Sequence, residues 1–249
     1  MTDPATMVLI GLTFLLAGTV KGVIGLGLPT VCLGLLTAAL DLPTAMALLI
    51  VPPFATNLWQ GVVGGNGGVI LRRLWPFLLM ATVTVSFGAT AMNRLDLALL
   101  SGLLGGLLVV YSTLSLTGFR LSISSRREIW VGPLFGAANG ILTGMTGSFV
   151  VPGVMYLQSI GLSRDMLVQA MGMLFTVSTV ALGVALQGND LLSPRLAMIS
   201  SAALLPAILG MIVGQRIRHG LSEARFRQVF FIAILLLGAY IIANAVRGG

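Results

Sequence analysis

Charge is scarce in this chain. Only 8% of its 249 residues are Asp, Glu, Lys or Arg, while 57% are hydrophobic and mean hydropathy is +1.03. A soluble domain carries about 25% charged residues, so a soluble globular fold is excluded. The one cysteine, Cys32, cannot form an internal disulfide, and the one histidine, His219, cannot anchor a His-rich metal site. They read as a small core residue and a loop residue. The acids Asp3, Asp41, Asp96, Glu128, Asp165, Asp190 and Glu223 all fall near segment ends. No carboxylate therefore sits deep inside an apolar run to bind a cation or relay a proton. There is no metal-ligand spacing, no nucleophile set and no phosphate loop of the Gly-Lys-Ser type. No enzyme activity, cofactor or metal is expected. The first residues carry Asp3 and no Lys or Arg, which argues against a cleaved signal peptide with its basic start.

What the chain does have is long apolar runs: Met7 to Leu40, Thr44 to Val63, Leu74 to Met92, Leu95 to Leu116, Ile129 to Ile160, Met166 to Leu186, Leu196 to Ile217 and Phe226 to Val246. Strands of a membrane barrel alternate polar and apolar residues and do not give such runs. Six runs match one membrane helix of about 20 residues. Met7 to Leu40 and Ile129 to Ile160 are too long. A straight helix of that length would measure about 50 Å, against a hydrocarbon core of about 30 Å. Tilt absorbs part of the excess; a central break absorbs all of it. Ser193-Pro194, Asp41, Ser163 and Ser222 are set to cap helix starts. Pro52-Pro53 is set to kink its helix, and Trp59, Trp75 and Trp130 read as interfacial anchors.

Glycines mark the centres of both long runs. Gly18, Gly22 and Gly25 reappear as Gly140, Gly144 and Gly147, shifted by 122 positions. Leu74, Gly88 and Arg94 return at the same shift as Leu196, Gly210 and Arg216, and Leu42, Met46 and Thr56 return at a shift of 120 as Leu162, Met166 and Thr176. The halves repeat, as they do in many secondary transporters. The polar stretch between them gives an expected division into a first repeat (1–118), a linker (119–128) and a second repeat (129–249).

Arginine placement bears on topology. Lys and Arg total 14 and Lys21 is the single lysine, so thirteen are arginines, and the net charge is +7. On a soluble protein this balance would suggest nucleic acid; in short loops between membrane helices it sets orientation instead. If all eight runs cross, the arginines divide almost evenly between the two sides. If each long run is a hairpin that returns to its own side, Arg72, Arg73, Arg120, Arg126, Arg127, Arg164, Arg216, Arg218, Arg225 and Arg227 share one side and only Arg94, Arg195 and Arg247 the other. The positive-inside rule favours the second arrangement, with both termini outside. Each half then has an odd number of segments, and the halves are inverted relative to each other. The expected fold is all-α: a polytopic membrane protein of two inverted repeats, each with a glycine-broken helical hairpin plus three spanning helices.

Within this frame Lys21 stands out. It lies about 21 Å of helix from Met7, where a charge is costly and marks function. Its competing role is to snorkel toward an interface. Beside it, Gly25-Leu26-Gly27-Leu28-Pro29 would break the helix and release backbone donors at a new helix start. Irregular backbone at that depth is tolerated only against protein or a polar cavity. The second cluster, Asn139 to Ser148, offers hydroxyls and an amide but no charge. Small residues at four-residue spacing also serve close helix packing, which is the expected role of Gly102, Gly105 and Gly106. Asn57, Gln60, Gln169 and Ser178 read first as inter-helix bonds. With the breaks taken as two walls of one site, the expected substrate-binding set is Lys21, Gly22, Gly25, Gly27, Thr30, Asn57, Asn139, Gly144, Thr146, Gly147 and Ser148.

Those glycine stretches, Gly18-x3-Gly22-x2-Gly25-Leu26-Gly27-Leu28-Pro29 and Gly140-Ile141-Leu142-Thr143-Gly144-Met145-Thr146-Gly147 followed by Val151-Pro152, resemble the TauE/SafE sulfite-exporter family over nearly the whole chain. The chain departs in having Gly25-Leu26-Gly27-Leu28, and Gly147-Ser148, where the family carries a run of consecutive glycines. Lys21 is not common to all members. The resemblance implies a secondary transporter of a small anion, such as sulfite or an organosulfonate, in the bacterial inner membrane. Its expected partners are the anion and the lipid bilayer, with no nucleic acid, and a homodimer is left open. A non-transporting membrane scaffold or assembly factor, and an anion channel, remain as alternatives.

Overall fold

The structure, a computed structural model, describes residues 3–119, 121–218 and 222–248. His219, read as a loop residue, and Arg120, read as part of the linker, lie outside them. The described residues form helices and no strand: α1 (Pro4–Ile24), α2 (Leu28–Ala39), α3 (Leu42–Leu48), α4 (Val51–Val62), α5 (Gly67–Val83), α6 (Val85–Met92), α7 (Leu97–Thr117), α8 (Ser125–Thr146), α9 (Gly153–Ser159), α10 (Arg164–Gly188), α11 (Pro194–Arg218) and α12 (Glu223–Gly248). Among the described residues, 6 helices are long and apolar enough to cross a membrane, or 7 if α3 and α4 are one bent span. This is an all-helical, multi-pass membrane protein.

Both over-long apolar runs are broken at their glycines, into α1 and α2 and into α8 and α9. The run from Thr44 is split as well. It bends by 47° at Leu49 and Ile50, just before Pro52 and Pro53, which sit in the first turn of α4; there the missing N–H costs nothing. Ser200 of α11 closes this break. Its hydroxyl accepts from the Val51 amide at 3.0 Å and donates to the Leu48 carbonyl at 2.8 Å. Asp41 caps α3 through the Thr44 amide at 2.8 Å, and Ser163, Ser193 and Ser222 likewise accept amides at the starts of α10, α11 and α12.

The chain forms two compact units, each drawing segments from both sides of the polar linker. Unit 1 comprises Met1–Pro52, Leu97–Thr117 and Ser193–Gly249; unit 2 comprises Pro53–Asp96 and Gly118–Leu192.

In unit 1, α1 packs along α11 and α7 along α12, with α2 contacting α1, α3, α7 and α12. Glycines set the α1–α11 spacing. A Cβ on Gly18 would lie 2.1 Å from the Ala207 carbonyl oxygen, and one on Gly214 2.1 Å from that of Thr19. Only backbone-to-backbone contact gives such distances, and it maximises dispersion where the lipid leaves no hydrophobic driving force between helices. Gly105 and Gly238 bring α7 and α12 together in the same way, whereas Gly102 and Gly106 face ordinary contact or open space.

In unit 2, α8 packs on α5 and α6 through Gly136, Gly140 and Gly144, each facing backbone of Phe77, Ala81 or Val85. Helix α5 starts at Gly67, well before Leu74, so Arg72 and Arg73 are helical rather than in a loop. Arg73 repays its place: it pairs with both carboxylate oxygens of Glu128 on α8 at 2.8 and 2.6 Å and donates to the Ile160 carbonyl at 2.7 Å. Gln60 of α4 donates to the Val168 carbonyl at 2.8 Å. Gln169 donates to the Gly61 carbonyl at 3.0 Å and accepts from Asn66 N–H at 3.0 Å. These two glutamines are the inter-helix bonds their positions suggest. Trp59, Trp75 and Trp130 are all exposed, as lipid-interface anchors require.

Candidate functional site

The break in unit 1 begins where α1 ends in a left-handed cap. Gly25 has φ 79°, and its N–H donates to the Lys21 carbonyl at 2.8 Å. Glycine adopts this conformation without a Cβ penalty, which is why the helix stops here. Gly27 is also left-handed, at φ 105°, and α2 restarts at Leu28 with Pro29 in its first turn. Lys21 lies in the last turn of α1 and is only 4% exposed. The negative end of the α1 dipole and the new amides at the start of α2 thus meet within one short segment. Gly22 faces away from the break, against the backbone of Met211 and Gly214. Gly25 does not: a Cβ there would meet nothing within 4 Å. Thr30 is buried in the first turn of α2.

The break in unit 2 starts identically. Gly147 has φ 72°, and its N–H donates to the Thr143 carbonyl at 2.7 Å. Thr143 occupies the position that corresponds to Lys21 at the shift of 122. Its hydroxyl is spent on structure, donating to the Ser148 carbonyl at 3.0 Å. The Thr146 hydroxyl donates to the Leu142 carbonyl at 2.7 Å and accepts from Ser148 N–H at 3.3 Å. A hydroxyl has one proton to donate, so neither threonine keeps one for a solute in this arrangement. Asn139 reaches across the break: its Oδ1 accepts the Gly153 amide at 2.9 Å, at the start of α9. Gly144 faces the backbone of Val85 and Ala89.

Of the expected set, unit 1 gathers Lys21, Gly25, Gly27 and Thr30 at its break, with Gly22 on the α11 side. Unit 2 gathers Asn139, Thr146, Gly147 and Ser148, with Gly144 on the α6 side. Asn57 lies buried on α4, its carbonyl oxygen 3.0 Å from where a Gly172 Cβ would sit. Sequence reasoning left Thr143 out of the expected set. Its correspondence to Lys21 was the available signal, and the hydroxyl that closes one break stands where the other carries a lysine side chain.

Comparison with known proteins bears on what such breaks serve. No curated protein and no solved structure matches the chain. The family model for sulfite exporter TauE/SafE matches residues 10–241. That span takes in both glycine-capped breaks and all helices but the outer ends of α1 and α12, so the chain belongs to the TauE/SafE sulfite-exporter family.

Proposed function

We propose that this protein is a secondary transporter that exports a small anion, sulfite or an organosulfonate, across the bacterial inner membrane. The observation that carries this reading is Lys21. It is the only lysine of the chain, it is buried, and it stands one turn before a break capped by Gly25 and followed by a fresh helix start. Ammonium and released amides are both anion ligands. Family membership supports the same class of substrate. The scaffold alternative draws on the glycine contacts at Gly22 and Gly144, which any tightly packed membrane protein could use.

Reconstitution separates the readings. Proteoliposomes holding the full chain should show saturable flux of labelled sulfite or a short alkylsulfonate, with competition among small oxyanions. Saturation at low concentration distinguishes a transporter from a channel. Absence of flux with every anion of the panel would leave the scaffold.

A further inference from the structure

Unit 2 contains two buried donors that its own packing leaves unused. Asn139 and Ser178 are both 0% exposed, and neither Asn139 Nδ2 nor Ser178 Oγ makes a hydrogen bond among the described residues. A buried polar group without a partner is destabilising, and the serine had a cheap alternative. Helix α10 shows it for the serine. Thr176 and Thr179, two residues before and one after, donate to the carbonyls one turn back, Gly172 at 2.7 Å and Phe175 at 2.6 Å. Ser178 does not. The orientation of Asn139 is fixed by chemistry. The atom facing Gly153 N–H must be an acceptor, so it is Oδ1, and the amide cannot be flipped to employ Nδ2 there.

The two groups belong to helices that meet at the α8–α9 break. Leu174, Phe175 and Ser178 share one face of α10, at three- and four-residue spacing. That face is turned to the α8–α9 break. The Leu174 side chain and Asn139 Oδ1 both crowd the position of a Gly153 Cβ, at 2.9 and 2.6 Å, and the Phe175 ring packs on Phe149 with centroids 6.2 Å apart. Ser178 is one turn on from Leu174 along this face.

We propose that Asn139 Nδ2 and Ser178 Oγ are a neutral donor pair that binds an oxygen of the transported oxyanion. This rests on the transporter reading and extends it by a residue, Ser178, which the sequence suggested only as an inter-helix bond. An amide N–H and a hydroxyl suit a sulfite, sulfonate or carboxylate oxygen, which accepts from both without needing a full counter-charge. The pair is closed off in this conformation, as one state of alternating access requires.

The test uses the purified full-length protein, with sulfite and methanesulfonate as probes in calorimetric titration, and thermal unfolding beside it. Ser178→Ala should raise Kd roughly tenfold or more, the worth of a hydrogen bond to a charged group. It should leave the unfolding temperature unchanged or higher, because it removes an unsatisfied hydroxyl. Ser178→Thr keeps a hydroxyl and should restore most of the affinity. Asn139→Asp keeps the acceptor for Gly153 N–H but turns the donor into a second acceptor, and should abolish binding. Wild-type affinity in both Ser178→Ala and Asn139→Asp would overturn the donor pair while leaving the transporter reading intact. If the wild-type protein binds and moves no oxyanion, both fall together.

Discussion

Gly144 of α8 approaches Val85 of α6 so closely that a Cβ on the glycine would lie 2.1 Å from the valine carbonyl oxygen. No rotamer change relieves that contact, because both partners are backbone. Gly144→Ala should therefore cost stability. The helix-propensity gain of about 1 kcal/mol over glycine is outweighed by overpacking, typically about 1–3 kcal/mol, plus lost dispersion as the helices separate. Gly11→Ala, where a Cβ meets nothing within 4 Å, should be neutral or slightly stabilising. Thermal unfolding of the detergent-solubilised variants, followed by size-exclusion profile, reports the difference. A Gly144→Ala protein as stable as wild type would mean that α8 and α6 are not in backbone contact.

The two cap glycines predict a different outcome. Gly25 and Gly147 are left-handed at φ 79° and 72°, and a side chain there costs roughly 1–2 kcal/mol. That is tolerable in a protein of ordinary stability. Gly25→Leu has room for its side chain in front of the break, where the substrate is proposed to bind. Both Gly25→Leu and Gly147→Leu should insert and fold yet lose transport. Flux in proteoliposomes, normalised to folded protein, checks this. Normal flux in Gly147→Leu would remove the second break from the transport path.

Much of this division of labour is invisible in the sequence. Gly22 and Gly25 stand three residues apart in one glycine cluster, and nothing in their spacing tells that one packs on α11 while the other caps α1. That depends on φ and on which face meets a neighbour. The existence of both breaks was legible, because apolar runs longer than a bilayer is thick with glycine at their centres have few other solutions. The start of α5 was not. Arg72 and Arg73 suggested a loop by hydropathy, whereas the pairing of Arg73 with Glu128, 55 residues away, stabilises a charged second turn. The same holds for the polar residues of α10. Gln169 and Ser178 look alike as lone polar groups in an apolar helix. One is satisfied by Gly61 and Asn66 and the other by nothing in its unit; only tertiary partners distinguish them.

Topology yields a third prediction. From the arginine distribution, ten against three when each long run returns to its own side, we predict a cytoplasmic linker and both termini outside. Reporter fusions after Ser124 and after Gly249 should therefore report opposite sides of the membrane. If instead every apolar run crossed once, the two sites would lie on the same side. One pair of fusions chooses between the arrangements.

Lys21 gives the sharpest prediction, because two roles for it diverge in what they change. In the last turn of α1 a cation complements the helix dipole, worth about 0.3–1 kcal/mol in an exposed helix and up to about 2 in a partly buried one. If that were all, Lys21→Met would lower the unfolding temperature and leave anion affinity untouched. If Lys21 binds the anion, the same substitution keeps side-chain length and removes the charge-assisted hydrogen bond, about 1.5–3 kcal/mol, or roughly ten- to a hundredfold in Kd. We expect the second pattern, with flux falling in parallel. Lys21→Arg should recover only part of the affinity. It restores charge but places a planar, wider fork where 4% exposure leaves little room for it. Calorimetry with sulfite on wild type, Lys21→Met and Lys21→Arg, with unfolding curves on the same samples, separates the roles. Equal Kd in wild type and Lys21→Met would reduce Lys21 to a helix-terminal charge and leave recognition to the neutral donors and backbone amides at the breaks.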